Sequence, residues 1–459
     1  MSVSRRDLFK FLGAAGVTAS LGPAFGQTAS IDPNHLFLFV VFGGGWDHPM
    51  SLDPRHPSLD AMKDNTGIEM AWNALPAPFN LAAPIQASGS NLMFGPAIGG
   101  MQRHWDKMCV VRGISMDTLS HPTGARYFST GKPPSGLAPR GNSAGAEVVD
   151  QLHRTFPNRL GQLANLSIDV DNYYTGNTTE VRAFRASALS PISIAASFSR
   201  GLTPEGDYSL LPAAARENLL ALHRQRQFCD PSNIDASGVM TRVRQAQAKN
   251  EQLFSGSDIA SFTVRLQNYD EWKLYGPSLV EPPAPGTPGL AAFFARQALA
   301  RGMSNSVTVL MQSELDTHTS IHPTQQPTRQ KAGWDALATL IDDLAVTNHP
   351  ALTSDKLLDH TTIVVYSEFT RTALRNAAGG RDHSLTNSAV LLGKGIRGNT
   401  VIGASSDNGM QPQAVNLSTG AVDPAGDVVR PEHVLATVLE CGGYDRNHLL
   451  VPGIERARI

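Results

Sequence analysis

Cysteine is scarce: the chain has three in 459 residues, Cys109, Cys229 and Cys441. An odd number, widely spaced, allows at most one bridge and builds no disulfide framework, and no Cys-x-x-Cys or zinc-finger spacing occurs. Charge is sparse too. Asp, Glu, Lys and Arg make up 17% of the residues, and 38 basic against 40 acidic side chains leave a net charge of −2. The missing basic excess excludes a nucleic-acid footprint, and the missing acidic tail excludes a solvating role. No apolar run after residue 26 approaches the ~20 residues a membrane helix needs. The glycine-rich turn at residues 43–45 is not followed by Gly-Lys-Ser/Thr, so it is no phosphate loop. A Gly-x-Ser-x-Gly nucleophile elbow is also missing.

What is present is globular. Hydrophobic residues make up 41%, enough for a large core, and 41 Gly with 30 Pro imply many turns. The first residues have a different character. Ser4-Arg5-Arg6-Asp7-Leu8-Phe9-Lys10 carries paired arginines, an apolar stretch runs over residues 11–21, and Ala24-Phe25-Gly26 is a small-residue cleavage site. This order predicts a twin-arginine export signal over residues 1–26, with the export machinery as a partner and a periplasmic or secreted destination. Removing it leaves a slightly more acidic chain.

Continuous apolar runs of strand length occur at residues 35–42, 108–112, 306–311, 361–366 and 389–392. Runs without alternation predict strands buried on both faces, as in a parallel sheet covered by helices. Between them lie helical patterns, the clearest at 330–346 with Trp334, Leu337, Leu340, Ile341 and Leu344 on one face. Another, at 431–440, starts with Pro431 and stops before Gly442-Gly443. Alternating strands and helices predict one α/β domain over residues 27–459. Residues 170–300 hold few strand runs, helical patterns at 213–228 and 238–254, and a Pro-rich close at 280–288. They predict a helical cap insertion.

In open α/β sheets ligands bind past the carboxyl ends of strands. There the sequence places Asp47 and His48, then Glu314, Asp316, His318 and His322, then Glu368, and finally Asp382-His383 before the fifth run. Converging Asp, Glu and His side chains are the usual ligands of Zn²⁺, Mn²⁺ and similar ions. Ser120-His121-Pro122 follows the run at 108–112, and Gly131 ends the helix that Pro122 begins. Ser120 and His121 then stand at a helix N-terminus, where free N–H groups favour an anion and a hydroxyl or imidazole can attack or hold a phosphoryl or sulfuryl group.

Taken together, these pieces resemble the bacterial family known as domain of unknown function 1501, in the alkaline phosphatase and sulfatase superfamily. The matching residues are the strand-Gly-Gly-x-Asp ending at Asp47, Ser120-His121 with Thr130-Gly131, Asp316-Thr317-His318, Ser367-Glu368-Phe369-Thr370-Arg371, Gly379-Gly380-x-Asp382-His383, and Arg430-Pro431-Glu432. The resemblance implies an alkaline-phosphatase-like three-layer sandwich with a mostly parallel central sheet. It also implies a divalent metal, zinc above all, in a two-metal site. Asp47 and Glu368 would hold one ion, and Asp316, His318 and His383, with Asp382 beside them, the other. Ser120 and His121 would be the catalytic pair, and Arg126 and Arg371 would meet the substrate. The implied activity is hydrolysis of a phosphate or sulfate ester, on a small molecule or polymer. The implied alternative is an exported binding or assembly protein that has lost catalysis.

The pattern departs from catalytic members. Asp-x-His replaces Asp-x-x-x-His, although His322 could contribute, Glu368-Phe369 replaces Asp-His, and His121 stands at the attacking position with Ser120 one residue before it. Cys229-Asp230-Pro231-Ser232-Asn233 approaches a formylglycine motif but lacks its Arg and falls in the insertion, so it reads as coincidence.

Overall fold

The computed structural model describes residues 30–133, 135, 139–187, 269–278, 281 and 283–459. The export signal, the helices expected at 213–228 and 238–254, and Cys229 lie outside the described residues.

Strand β1 (Leu36–Phe42) is buried at every position. Strand side chains alternate between faces, and β1 is apolar on both. Leu36, Leu38, Val40 and Phe42 enter one core, beside Phe293, Trp334 and Leu337. Phe37, Phe39 and Val41 enter a second, beside Tyr127, Phe128, Val148 and Val434. This two-sided burial is why the run lacks alternation.

A small hairpin of β2 (Ile85–Gln86) and β3 (Met93–Phe94) precedes β4 (Cys109–Ser115). The remaining strands are β5 (Asn165–Ile168), β6 (Phe184–Ala186), β7 (Ser306–Gln312), β8 (Thr361–Tyr366), β9 (Thr370–Arg371), β10 (His383–Ser384), β11 (Thr386–Gly393), β12 (Thr400–Ile402), β13 (Ala414–Val415) and β14 (Asp427–Val428). The central sheet has eight strands in the order β12-β4-β11-β8-β1-β7-β5-β6. It is parallel except for β11, which runs against both neighbours, β4 and β8. The run at 389–392 reads like the parallel strands because it is buried on both faces. An antiparallel strand covered on both faces gives the same pattern, because burial reports faces and not direction.

Five helices matter for the site: α1 (His121–Thr130), α2 (Ala144–Thr155), α3 (Pro288–Ala300), α4 (His322–Val346) and α5 (Pro431–Cys441). Helices α3 and α4 supply the first core, and α1, α2 and α5 the second. Both ends of the expected insertion join the main body: β6 extends the sheet beside β5, and α3 packs into the first core. Helix α4 starts at His322, eight residues before the expected 330. Its first turns bury His322, Gln326 and Gln330, polar groups that interrupt the apolar stripe because they serve the site. Among the described residues, no helix is long and apolar enough to cross a membrane.

Candidate metal centre

The site lies past the carboxyl ends of β1, β7 and β8. Leaving β1, the chain turns through Gly44, at φ +104°, where an added Cβ would stand 2.6 Å from the Leu315 nitrogen. Only glycine allows that approach of the β1 and β7 loops. The Gly44 N–H donates to Glu368 Oε1 at 2.7 Å, and the Ser367 hydroxyl donates to Glu368 Oε2 at 3.0 Å. Helix α1 comes equally close to the β8 loop, where a Cβ on Gly124 would meet the Glu368 carbonyl at 2.6 Å. That contact sets His121, the first residue of α1, against Glu368. The β9–β10 pair puts His383 opposite Arg371. Three loops, one helix start and one small ladder thus converge.

Three imidazoles surround Asp316. His121 Nε2 lies 3.3 Å from Asp316 Oδ2, while His318 Nε2 and His383 Nε2 lie 2.9 and 3.4 Å from Oδ1. The two latter nitrogens are 3.0 Å apart. Each ring is fixed from behind through Nδ1. Glu368 holds His121 at 2.6 Å, Asp382 holds His318 at 2.9 Å, and the Leu119 carbonyl holds His383 at 2.6 Å. An acceptor at Nδ1 fixes the proton there and leaves Nε2 as a lone-pair donor, the arrangement that supports metal-ligating histidines. Donor atoms of His121, Asp316 and His383 all lie within 4.8 Å of one another, close enough for one ion to contact all three. The fit has a further mark: His121 Nε2 is buried and makes no aligned hydrogen bond, although Asp316 Oδ2 lies 3.3 Å away, and a cation between the two would engage both.

Charge fits the same picture. Burial pushes the Asp316 carboxyl up, but the Arg371 hydrogen bond and charge, with His121 and His383, outweigh it and hold its pKa at about 2. Burial and the nearby Arg371 charge push His383 down, favouring the neutral imidazole. His121 differs: burial opposes protonation, yet Glu368 and Asp316 overcome it and raise its pKa, so an ion binding there must displace the Nε2 proton. Arg371 donates to Asp316 Oδ1 at 2.7 Å and to the Gly45 carbonyl at 2.9 Å, with Nη1 3.2 Å from His318 Nε2. Its side chain is fully buried.

Not every expected residue joins this centre. The Asp47 carboxylate is fully buried and turns elsewhere, to His322 Nε2 at 2.9 Å and Arg381 Nε at 3.1 Å. The Arg381 charge holds its carboxyl low in spite of burial. His322 Nδ1 lies 2.8 Å from the Thr317 hydroxyl. Asp47 therefore ties the end of β1 to the loops carrying Asp316-Thr317-His318 and Arg381-Asp382-His383. It braces the centre and is not among the grouped donors. Glu368 grips His121 in place of the ligand role expected with Asp47, and His121 joins the donor set in place of the attacking role. Ser120 is exposed and makes no side-chain cap bond at the start of α1. Arg126 lines a neighbouring cavity. The Arg381 clamp and the Leu119 carbonyl are not legible in the sequence: a backbone carbonyl carries no signal, and nothing in the residues around Arg381 says that it folds against Asp47.

The imidazole–carboxylate cluster lies at the carboxyl edge of the sheet, where open α/β sheets bind ligands. The family described as "Protein of unknown function (DUF1501)" matches residues 35–457, nearly all of the described fold, and the chain belongs to that family. No curated protein matches the chain.

Proposed function

We propose that the chain is an exported, metal-dependent hydrolase of phosphate or sulfate esters. The observation that carries this reading is the set of three imidazoles around Asp316, each fixed through Nδ1 and offering Nε2. The resemblance to alkaline phosphatases and sulfatases supports it, and the paired arginines of residues 5–6 support export. His121, Asp316 and His383 would hold a divalent ion, and their nitrogen and oxygen donors suit zinc. A bound ion supplies Lewis acidity, drawing electron density from the ester oxygen. The protein does the rest. Arg371, fully buried and bonded to the Gly45 carbonyl and Asp316, fixes that carboxylate and does not meet the anionic group directly as the resemblance implied. His318, with Asp382 holding Nδ1, can accept or return a proton at Nε2. One ion is the arrangement we favour, because Asp47 is committed to Arg381 and His322.

Stripping the purified chain with a chelator and restoring zinc tests this. Hydrolysis of an aryl phosphate or aryl sulfate should vanish and return. Turnover that ignores the chelator, or none in the zinc-loaded protein, would overturn the reading. The second outcome would favour a binding or assembly protein, a reading supported by the incomplete two-metal ligand set, with Asp47 committed to Arg381 and His322.

A further inference from the structure

Beside the centre lies a cavity of about 480 Å³. It has the size of a small-ligand pocket and shares His121 and Glu368 with the metal centre. One side is the face of α1 carrying His121, Ala125, Arg126 and Ser129, residues spaced to recur on one side of a helix. The other side is built by strand ends: Val41 from β1, Leu310 from β7, Tyr366 from β8 and Ala186 from β6, with Val170 and Tyr173 from the loop after β5. Apolar groups make up most of the wall's surface, and Ser167, Asp169, Asp171, Arg185 and Glu368 complete it.

Most polar groups of this wall are engaged within the protein. Ser129 donates to the Arg126 carbonyl at 3.1 Å, Ser167 donates to the Val170 carbonyl, and the Tyr173 hydroxyl donates to Asp171 at 3.3 Å. Arg185 is paired with Asp171. Arg126 differs. Its Nε and Nη1 are shielded from water and have no hydrogen-bond partner among the described residues. A guanidinium left so is costly, because its donors have given up water without an acceptor in return. Two unbonded guanidinium donors on a largely apolar surface suit an organic anion, and the acidic groups of the wall are held within the protein, Glu368 by His121 and Asp171 by Arg185.

We infer that this cavity receives the organic body of the substrate, an aryl or similarly apolar ester whose negative charge Arg126 helps to hold. The inference deepens the hydrolase reading and rests on it for the word substrate, but the binding it describes can be measured without turnover. It separates esters with an apolar body from inorganic phosphate, which would leave the wall uncovered.

The test is calorimetric titration of the purified full chain, zinc-loaded and again after chelation. The probes are phenylphosphonate, which is not hydrolysed, inorganic phosphate and phenol. Phenylphosphonate should bind at least about tenfold more tightly than inorganic phosphate, the gain expected from covering one ring. Arg126→Met keeps an apolar stem and removes the charge, and should weaken phenylphosphonate about tenfold while leaving phenol unchanged. Ala125→Leu, which narrows the cavity, should weaken phenylphosphonate and spare phosphate. It also serves if the Arg126 variant fails to fold. Equal affinity for phosphate and phenylphosphonate, or phenylphosphonate binding indifferent to both variants, would overturn the inference. Arg126-dependent binding without turnover would keep the cavity and reject the hydrolase. Zinc-dependent turnover without ring preference would do the reverse.

Discussion

Glu368 and Asp47 are both acidic residues near strand ends, and the fold uses them differently. Glu368 faces His121 Nδ1 at 2.6 Å, so it controls which nitrogen of that ring can donate. Glu368→Gln should keep the fold and weaken metal binding by about 10- to 100-fold, the usual effect of losing a carboxylate behind a ligating histidine. Competition against a zinc-sensitive dye reads this directly. Asp47 has no exposed surface and balances Arg381, which is itself almost fully buried. Asp47→Asn leaves that guanidinium without its counter-charge, and the expected loss of unfolding free energy is about 3–5 kcal/mol. Urea titration would show it. A stable Asp47→Asn protein with weakened zinc affinity would instead make Asp47 a ligand. The sequence put both residues beside a site but could not divide their tasks, since the division depends on which cation or imidazole folds against each carboxylate.

At the scale of elements, the centre depends on close approaches between loops that no single element contains. Gly44 lets the β1 loop pass the backbone of residues 315 and 316, and Gly124 lets α1 rest on the β8 loop. Gly44→Ala would force a side chain into backbone atoms at a positive φ. It should cost about 1–3 kcal/mol and also lower zinc affinity, because the Gly44 N–H holds Glu368. Thermal unfolding and zinc titration on the same sample test both effects together. The elements themselves were legible where one physical pattern dominated: the runs of β1, β4, β7 and β8, and the Pro-to-Gly limits of α5. They were less legible where function cut across pattern. Helix α4 hides its first turns behind His322, Gln326 and Gln330, which face inward to bond Asp47, Gly45 and Leu315. The two-residue strands β9 and β10 carry no periodicity, yet they place Arg371 against His383.

For the whole molecule, buried titratable groups set a pH window. Burial pushes His48 down to about 4 and His35 to about 3. For Asp53, burial acts upward, but Arg112 and Arg55 outweigh it and hold the carboxyl at about 2. The unfolded histidines take up protons as pH falls through ~6.5, whereas the folded ones resist until about 4 and about 3. The unfolded state gains protons first, so stability is lost across that interval. Asp53 acts the same way lower down: its contribution is complete above the unfolded value and is lost as pH falls through about 2. The urea midpoint should therefore fall steadily from pH ~6.5 toward pH 2. His48→Gln should flatten the upper part of that decline.

The central claim is that His121, Asp316 and His383 form one metal centre. The most direct test is the metal content of the purified full chain, measured by mass spectrometry beside Asp316→Asn and His383→Ala. The account predicts about one zinc or similar divalent ion per folded wild-type chain and its loss from both variants, with their folds retained. A wild-type chain that takes up no ion when zinc is supplied, or variants that keep the wild-type content, would contradict it.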